Sequence, residues 1–158
     1  MSSLIETRQS LVGTWILVEY KATDTETGQV IHPMGPKAQG FLIYSADGFV
    51  SAHLMQPGAP AFSGNDMERG TQEELAESMK HYLAYCGRYN LEEVNGAIKV
   101  KHNMEVASFP NWLGNEQGRL VTLNGNNLEL DTANVYLIDG QYVRGSLVWR
   151  KAQSTADY

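Results

Sequence analysis

The chain has 158 residues, a length typical of one domain with a single sizeable hydrophobic core. With 12 Lys and Arg residues against 18 Asp and Glu residues the net charge is -6, which disfavours nucleic acid or an anionic membrane surface as a partner. The single cysteine, Cys86, cannot form an internal disulfide, the N-terminus lacks the apolar run of a signal peptide, and no stretch approaches the about 20 apolar residues that span a bilayer, so we expect a cytoplasmic protein.

The first strand is predicted at residues 11–20, whose sequence LVGTWILVEY is dense in β-branched and aromatic residues. The polar residues 1–9 before it and 152–158 at the other end of the chain are expected to be frayed. Residues 24–40 are rich in Gly and Pro, and this density of breakers predicts a loop.

A β-hairpin is predicted next, with strands at residues 41–45 and 49–55 around the turn signal Ala46-Asp47-Gly48. Alternation along its second strand predicts that four side chains share one face of the sheet. These are Phe49, Ser51, His53 and Met55.

A surface excursion and one helix are predicted to follow the hairpin. Residues 56–70 are rich in Gly and Pro and poor in large aliphatic side chains, so we expect them to cross the surface, where they could form a lid. Thr71 and Glu74 have the spacing of a capping box, and apolar residues follow at helical spacing. The pattern predicts a helix at about residues 72–83.

Two strands are predicted after the helix. Residues 85–92 have the strand period, with Tyr85 and Tyr89 on one face, and Asn95-Gly96 turns the chain into a strand at residues 97–106. In that strand every second residue is apolar or aromatic, which places His102 on an inward row. The row is Ile98, Val100, His102, Met104 and Val106.

The C-terminal part is predicted to form a hairpin at residues 117–123 and 127–130 and a last strand at residues 141–151. The chain then has about eight strands, joined mainly by hairpins, with one inserted helix. We predict an all-β single domain, an antiparallel barrel with its core at about residues 10–151, because closing the sheet removes exposed edges and leaves room for one small ligand. A two-sheet sandwich is the alternative.

Several short motifs resemble those of a known family. Gly13-Thr14-Trp15 resembles the Gly-x-Trp signature of lipocalins, and Leu147-Val148-Trp149-Arg150 resembles their closing strand. Together with segments at 42–52, 85–89, 102–105 and 109–114, they are similar to the lipocalin-like domain proteins of bacteria and fungi. The resemblance covers about residues 10–151 and implies a small calycin-type barrel. Some small barrel proteins of secondary metabolism act as cofactor-free cyclases or isomerases, and this analogy at the level of the fold adds an enzymatic alternative.

Two histidines are candidates for acid–base catalysis. His102 lies on an inward row, which is a costly place for an imidazole unless it is hydrogen-bonded or functional. If His53 points into the same cavity, the two could act as general base and acid near neutral pH. The alternative for His102 is a core histidine satisfied by a backbone carbonyl or a tyrosine. For His53 the alternative is a solvent-facing row that it shares with Ser51.

Ligand contacts are expected mainly from aromatic side chains with polar tips. The predicted ligand-binding residues are Tyr44, Tyr85, Tyr89, Asn111, Trp112 and Arg119. Arg119 either enters the cavity or extends out at the barrel rim. Trp15 and Trp149 are interpreted as a plug at the floor of the barrel.

Arg88, Glu105 and Cys86 are not expected to take part in catalysis. Arg88 and Glu105 are predicted to form an ion pair on the outer face rather than a catalytic dyad. Cys86 has no basic neighbour except Arg88, so a nucleophilic role is not expected. No nucleotide-binding loop, nucleophile elbow or Cys-x-x-Cys motif is present, so no cofactor is expected. The four histidines, His32, His53, His81 and His102, lack the spacing of metal ligands, so no metal is expected. His81 is predicted to lie on the solvent-facing side of the helix.

The first functional hypothesis is a binding protein that holds a small, largely apolar molecule of polyketide or terpenoid type. The residues expected to orient that molecule are His53, His102, Tyr85 and Arg119. The alternative is a cofactor-independent isomerase, cyclase or dehydratase with His102 as base and a tyrosine or His53 as acid. A third hypothesis is a solid barrel that serves as an assembly partner. Neither nucleic acid nor membrane is an expected partner, and a homodimer is left open.

Overall fold

Eleven β-strands and two α-helices make up the computed structural model, which describes residues 3–155. The helices are α1 (Leu4–Leu11) and α2 (Gln72–Lys80), and a short 3-10 helix spans Pro110–Trp112. The strands are β1 (Gly13–Asp24), β2 (Val30–Ile31), β3 (Gln39–Tyr44), β4 (Phe49–Met55), β5 (Tyr82–Val94), β6 (Ala97–Asn103), β7 (Val106–Ala107), β8 (Glu116–Asn124), β9 (Asn127–Thr132), β10 (Tyr136–Ile138) and β11 (Gln141–Lys151).

Eight of the strands close into an antiparallel barrel in the order β1, β3, β4, β5, β6, β8, β9 and β11. The last strand pairs back with the first, from Trp15 opposite Lys151 to Asp24 opposite Val143. This pairing leaves none of the eight strands with an open edge. The predicted all-β antiparallel barrel is confirmed, and the two-sheet sandwich is not formed.

The N-terminal segment is a helix, so the prediction of a frayed end at residues 1–9 is wrong for residues 4–9; residues 1 and 2 lie outside the described part. Ser3 and Glu6 form a reciprocal capping box, with the Glu6 N–H donating to Ser3 Oγ at 3.1 Å and the Ser3 N–H donating to Glu6 Oε2 at 2.9 Å. Leu11 at the end of α1 is completely buried. At the other end of the chain, residues 152–155 form no helix or strand.

The end of the barrel next to α1 is closed by Trp15 and Lys151. The Trp15 indole N–H donates to the Leu11 carbonyl oxygen at 2.8 Å, and the Lys151 ammonium lies 4.5 Å from the centre of the Trp15 ring. Lys151 Nζ also donates to the Val12 carbonyl oxygen at 2.6 Å, near the end of α1. A helix, an indole and a cation therefore fill this end of the barrel.

The second helix begins where its capping box predicts but ends earlier than predicted. Thr71 and Glu74 form the capping box, yet α2 ends at Lys80 rather than at residue 83. The reason is that Tyr82 and the next residue pair with the end of β4 and so start β5. His81 is not solvent-facing as predicted, because its Nδ1 is 2.9 Å from the Gln56 carbonyl oxygen and its side chain is only 13% exposed. Neither helix of the described chain is long and apolar enough to cross a membrane.

The predicted strand at residues 97–106 is interrupted after Asn103. A Cβ on Gly87 would lie 1.8 Å from the Asn103 carbonyl oxygen, so the two backbones cross at a distance that only glycine allows. The chain bends there, and Met104 stays buried while Val106 becomes 61% exposed as part of β7. The prediction that Val106 continues the inward row is therefore wrong.

We predict that Leu11→Ala lowers the free energy of unfolding by about 2 to 5 kcal/mol, because it leaves a cavity beneath α1 in the closed end of the barrel. The matched control is Ile5→Ala in the same helix. Ile5 is 71% exposed, so its substitution should change stability by less than about 0.5 kcal/mol. Urea unfolding of the two variants measures the difference, and equal costs would contradict the docking of α1 on the core.

Candidate functional site

The barrel contains an internal cavity of about 80 Å³ at the end away from α1. Its wall is mainly apolar, and five leucines and a tryptophan from the barrel strands are part of it. These are Leu42, Leu54, Leu83, Leu130, Leu147 and Trp149. One water needs roughly 10 to 15 Å³ of such space, so the cavity holds more than isolated waters. The hypothesis of a solid barrel does not fit this interior.

We call the part of the cavity lining that lies outside the eight barrel strands the rim. Trp112, Val135 and Tyr136 all contribute side chains to it. No residue of the segment 56–70, which could have formed a lid, lines the cavity. The segment is held instead against α2, where the Ser63 N–H donates to Glu74 Oε2 at 2.6 Å.

A buried hydrogen-bonded network of three side chains lies beside the cavity. The Tyr44 hydroxyl is 2.7 Å from His102 Nε2, and the Tyr85 hydroxyl is 3.0 Å from His102 Nδ1. His102 is fully buried and Tyr44 is 1% exposed, whereas Tyr85 also lines the cavity. Of the alternatives for His102, the core histidine satisfied by tyrosine is the one observed. Three strands, β3, β5 and β6, supply one residue each.

The environment of His102 keeps its imidazole neutral. Burial is the main cause that lowers the pKa of His102 to about 3, and the nearby positive charge of Arg119 acts in the same direction. Burial also raises the pKa of the Tyr44 and Tyr85 hydroxyls above the usual tyrosine value. The network therefore carries no charge near neutral pH, and its imidazole is a weak proton acceptor.

Arg119 is the charged group of the cavity wall. Of the two interpretations of this residue, entry into the cavity is the one observed, because Arg119 lines the cavity and its charge acts on the pKa values of Tyr85 and His102. Its Nη1 donates to the Gly118 carbonyl oxygen at 2.9 Å. Within residues 3–155 it forms no ion pair with a carboxylate.

Two further tyrosines line the cavity and were missed by the sequence analysis. The hydroxyls of Tyr20 and Tyr136 are 2.7 Å apart. Tyr20 faces inward because the pairing register of β1 shifts between Leu17 and Glu19, and single-sequence alternation gives no sign of that shift. The Tyr136 ring can enter the cavity wall because residue 145 is a glycine. A Cβ at Gly145 would lie 2.5 Å from the Tyr136 hydroxyl oxygen, so only a residue without a side chain leaves room for the phenol.

His53 does not share the cavity with His102. The inward row of β4 consists of Val50, Ala52 and Leu54, so His53 faces outward. Its Nε2 is 3.1 Å from Ser51 Oγ, and its Nδ1 is 2.6 Å from the Tyr82 hydroxyl. The hypothesis of two histidines in one pocket is therefore wrong.

Three other predicted site residues are also placed by the structure. Tyr89 is buried at the end near α1, where its hydroxyl donates to the Ser45 carbonyl oxygen, and it does not line the cavity. Asn111 is exposed on the 3-10 helix and does not line it either, whereas its neighbour Trp112 does. Trp149, predicted as part of a floor plug, lies in the cavity wall.

The outer-face ion pair is as predicted, with Arg88 Nη1 2.7 Å from Glu105 Oε1 and both side chains well exposed. Cys86 is a partly exposed free thiol beside the outward His53. Within residues 3–155, no cluster of three or more His, Cys, Asp or Glu side chains could hold a metal ion.

Comparisons with known proteins give one family and one curated relative. The family model of the lipocalin-like domain matches residues 12–152. A protein of Aspergillus oryzae named 4'-hydroxy-3'-methoxypropiophenone carrier protein ppsC is 42% identical over 106 residues, which cover 65% of this chain and 96% of the relative. No solved structure matches the chain significantly.

We predict that His102 makes the stability of the protein depend on pH. Below about pH 6.5 the unfolded chain gains a proton at His102, whereas the folded chain does not until its pKa of about 3. This contribution to stability is fully present above about pH 6.5 and is lost as the pH falls, at about 1.4 kcal/mol per pH unit.

The measurement is urea unfolding of the wild type and of His102→Gln at pH 7 and pH 5. The wild type should lose about 2 kcal/mol more than the variant over this interval. The other histidines are common to both proteins, so their effects cancel in the comparison. An identical pH dependence of the two proteins would show that His102 is not buried in its neutral form.

Proposed function

Because the chain belongs to the lipocalin-like domain family, as its motifs predicted, we propose that it is a carrier that binds a small, largely apolar aromatic molecule inside its barrel. The observation that carries this proposal is the cavity itself, with leucines and aromatic rings around most of its surface and a few polar groups among them. Small-molecule sites typically have this composition, since apolar area supplies affinity and isolated polar groups supply orientation.

The size of the cavity limits the ligand to a small molecule. Its volume of about 80 Å³ is roughly half of the about 150 Å³ that accommodates benzene in an engineered cavity. A ligand with one aromatic ring therefore has to displace side chains at the rim. The rim side chains Trp112 and Val135 lie outside the eight paired strands of the barrel, so they can move without breaking the pairing of the barrel.

The relative from Aspergillus oryzae supports the same class of ligand. Its name describes a carrier of a propiophenone, which is an aromatic ketone with one ring. We propose that this chain carries a molecule of similar size and polarity, within the polyketide- or terpenoid-like class expected from its sequence. The composition of the chain, with its single cysteine, supports a cytoplasmic site of action.

The enzymatic alternative is less well supported than the carrier. A general base has to reach its substrate, but His102 does not line the cavity and both of its ring nitrogens face tyrosine hydroxyls. The proposed acid, His53, lies on the outer face. The predicted isomerase, cyclase or dehydratase activity would therefore need a different acid–base pair.

We predict that Leu147→Trp weakens ligand binding, because the added indole occupies the cavity. The probe is 4'-hydroxy-3'-methoxypropiophenone, titrated by calorimetry. The wild type should bind it, and at a free concentration 100-fold above Kd the ligand should stabilise the fold by about 2.7 kcal/mol. In Leu147→Trp the affinity should fall at least about tenfold, while the protein stays folded despite an overpacking cost of about 1 to 3 kcal/mol.

The matched control is Leu120→Trp, which places the same side chain on the outer face of β8, where Leu120 is 40% exposed. This variant should bind like the wild type. Equal binding by Leu147→Trp and the wild type would place the ligand outside the barrel and would refute the proposed site.

A further inference from the structure

Two residues of the cavity wall, Trp149 and Arg119, have N–H groups without an acceptor among residues 3–155. Trp149 is 2% exposed, and its Nε1–H is buried without a hydrogen-bond partner in the described chain. Arg119 donates one hydrogen bond, to Gly118, and forms no ion pair with any described residue. A buried donor without an acceptor bears the full cost of its lost contacts with water, so a bound molecule that supplies an acceptor gains affinity.

A third donor is the Tyr85 hydroxyl, and the buried network determines where its proton points. Neutral His102 has one N–H and one bare nitrogen, so one tyrosine donates to the ring and the other accepts from it. The Tyr44 hydroxyl is buried, and His102 is its only hydrogen-bond partner in the described residues. Tyr44 must therefore donate to Nε2, since residues 3–155 offer its proton no other acceptor.

The proton of His102 then lies on Nδ1 and is donated to the Tyr85 oxygen, 3.0 Å away. This arrangement satisfies every polar atom of the network and leaves the proton of Tyr85 unused. Because Tyr85 lines the cavity, that proton is available to a molecule inside it.

We infer that the ligand presents an oxygen acceptor of the ketone type on its apolar body, and that Tyr85, Arg119 and Trp149 are the donors that recognise it. This inference rests on the proposed function and narrows its ligand class. A carbonyl oxygen has two lone pairs and can accept from two of these three donors at once. Tyr44 acts as a positioning residue, because it sets the tautomer of His102 without lining the cavity.

The test uses two probes, propiophenone and propylbenzene. They differ only in that propylbenzene has a CH2 group in place of the carbonyl group. Both are titrated by calorimetry into the full chain, and the ratio of their affinities measures recognition of the carbonyl. In Tyr85→Phe this ratio should fall about tenfold, as expected for one lost hydrogen bond in a buried site. The affinity for propylbenzene should stay the same, which also shows that the cavity remains intact.

Tyr44→Phe tests the positioning role. Without the Tyr44 donor, His102 can move its proton to Nε2, and Tyr85 then donates to Nδ1 instead of the ligand. The ratio should fall about threefold, although Tyr44 does not touch the ligand. The matched control is Tyr89→Phe, which removes the hydroxyl of a tyrosine that is 2% exposed, donates to Ser45 and lies outside the cavity wall. The affinity ratio of this variant should equal that of the wild type.

The outcomes separate this inference from the proposed function. A ratio that falls in Tyr85→Phe and Tyr44→Phe but not in Tyr89→Phe supports the inference. Binding of both probes with an unchanged ratio, or an equal loss of both probes in the variants, overturns the inference and leaves a purely apolar carrier. If the wild type binds neither probe, the proposed function and the inference both fail.

Discussion

The pairing of β1 with β11 is the constraint on which the interior of this protein depends. It gives each of the eight barrel strands two neighbours, so alternate side chains are enclosed rather than solvated. At one end the enclosed space is filled by Trp15 and by Leu11 of α1. At the other end the side chains leave a cavity. The barrel is therefore filled at one end and hollow at the other.

Alternation along the strands predicted much of the fold and part of the site, because in a closed sheet the inward row is also the buried row. His102, Tyr85 and Arg119 follow this rule. It fails where the register changes, as at the shift in β1 that turns Tyr20 inward. Alternation was also ambiguous in β4, because both of its rows contain apolar residues. The sequence of β4 alone therefore does not show that His53 faces outward. The capping box of Ser3 and Glu6 was visible in the sequence, but a polar helix of eight residues gives little further signal.

The chemistry of the interior favours recognition over catalysis. A catalytic imidazole needs access to the substrate and a pKa near the working pH, whereas His102 has neither, with a pKa of about 3 and two tyrosine partners. What the network provides is a fixed direction for the Tyr85 proton. Arg119 and Trp149 add further N–H donors to the mainly apolar wall. These features are the basis on which we propose a carrier.

The most direct test of a ligand inside the barrel is an NMR titration with isotope-labelled leucine methyl groups. Five leucines line the cavity, whereas Leu75, Leu113 and Leu137 are exposed on the outside. On addition of 4'-hydroxy-3'-methoxypropiophenone, the methyl resonances of Leu83, Leu130 and the other cavity leucines should shift while those of the outer leucines stay in place. Shifts confined to the outer leucines, or no shifts at all, would contradict a carrier that uses this cavity.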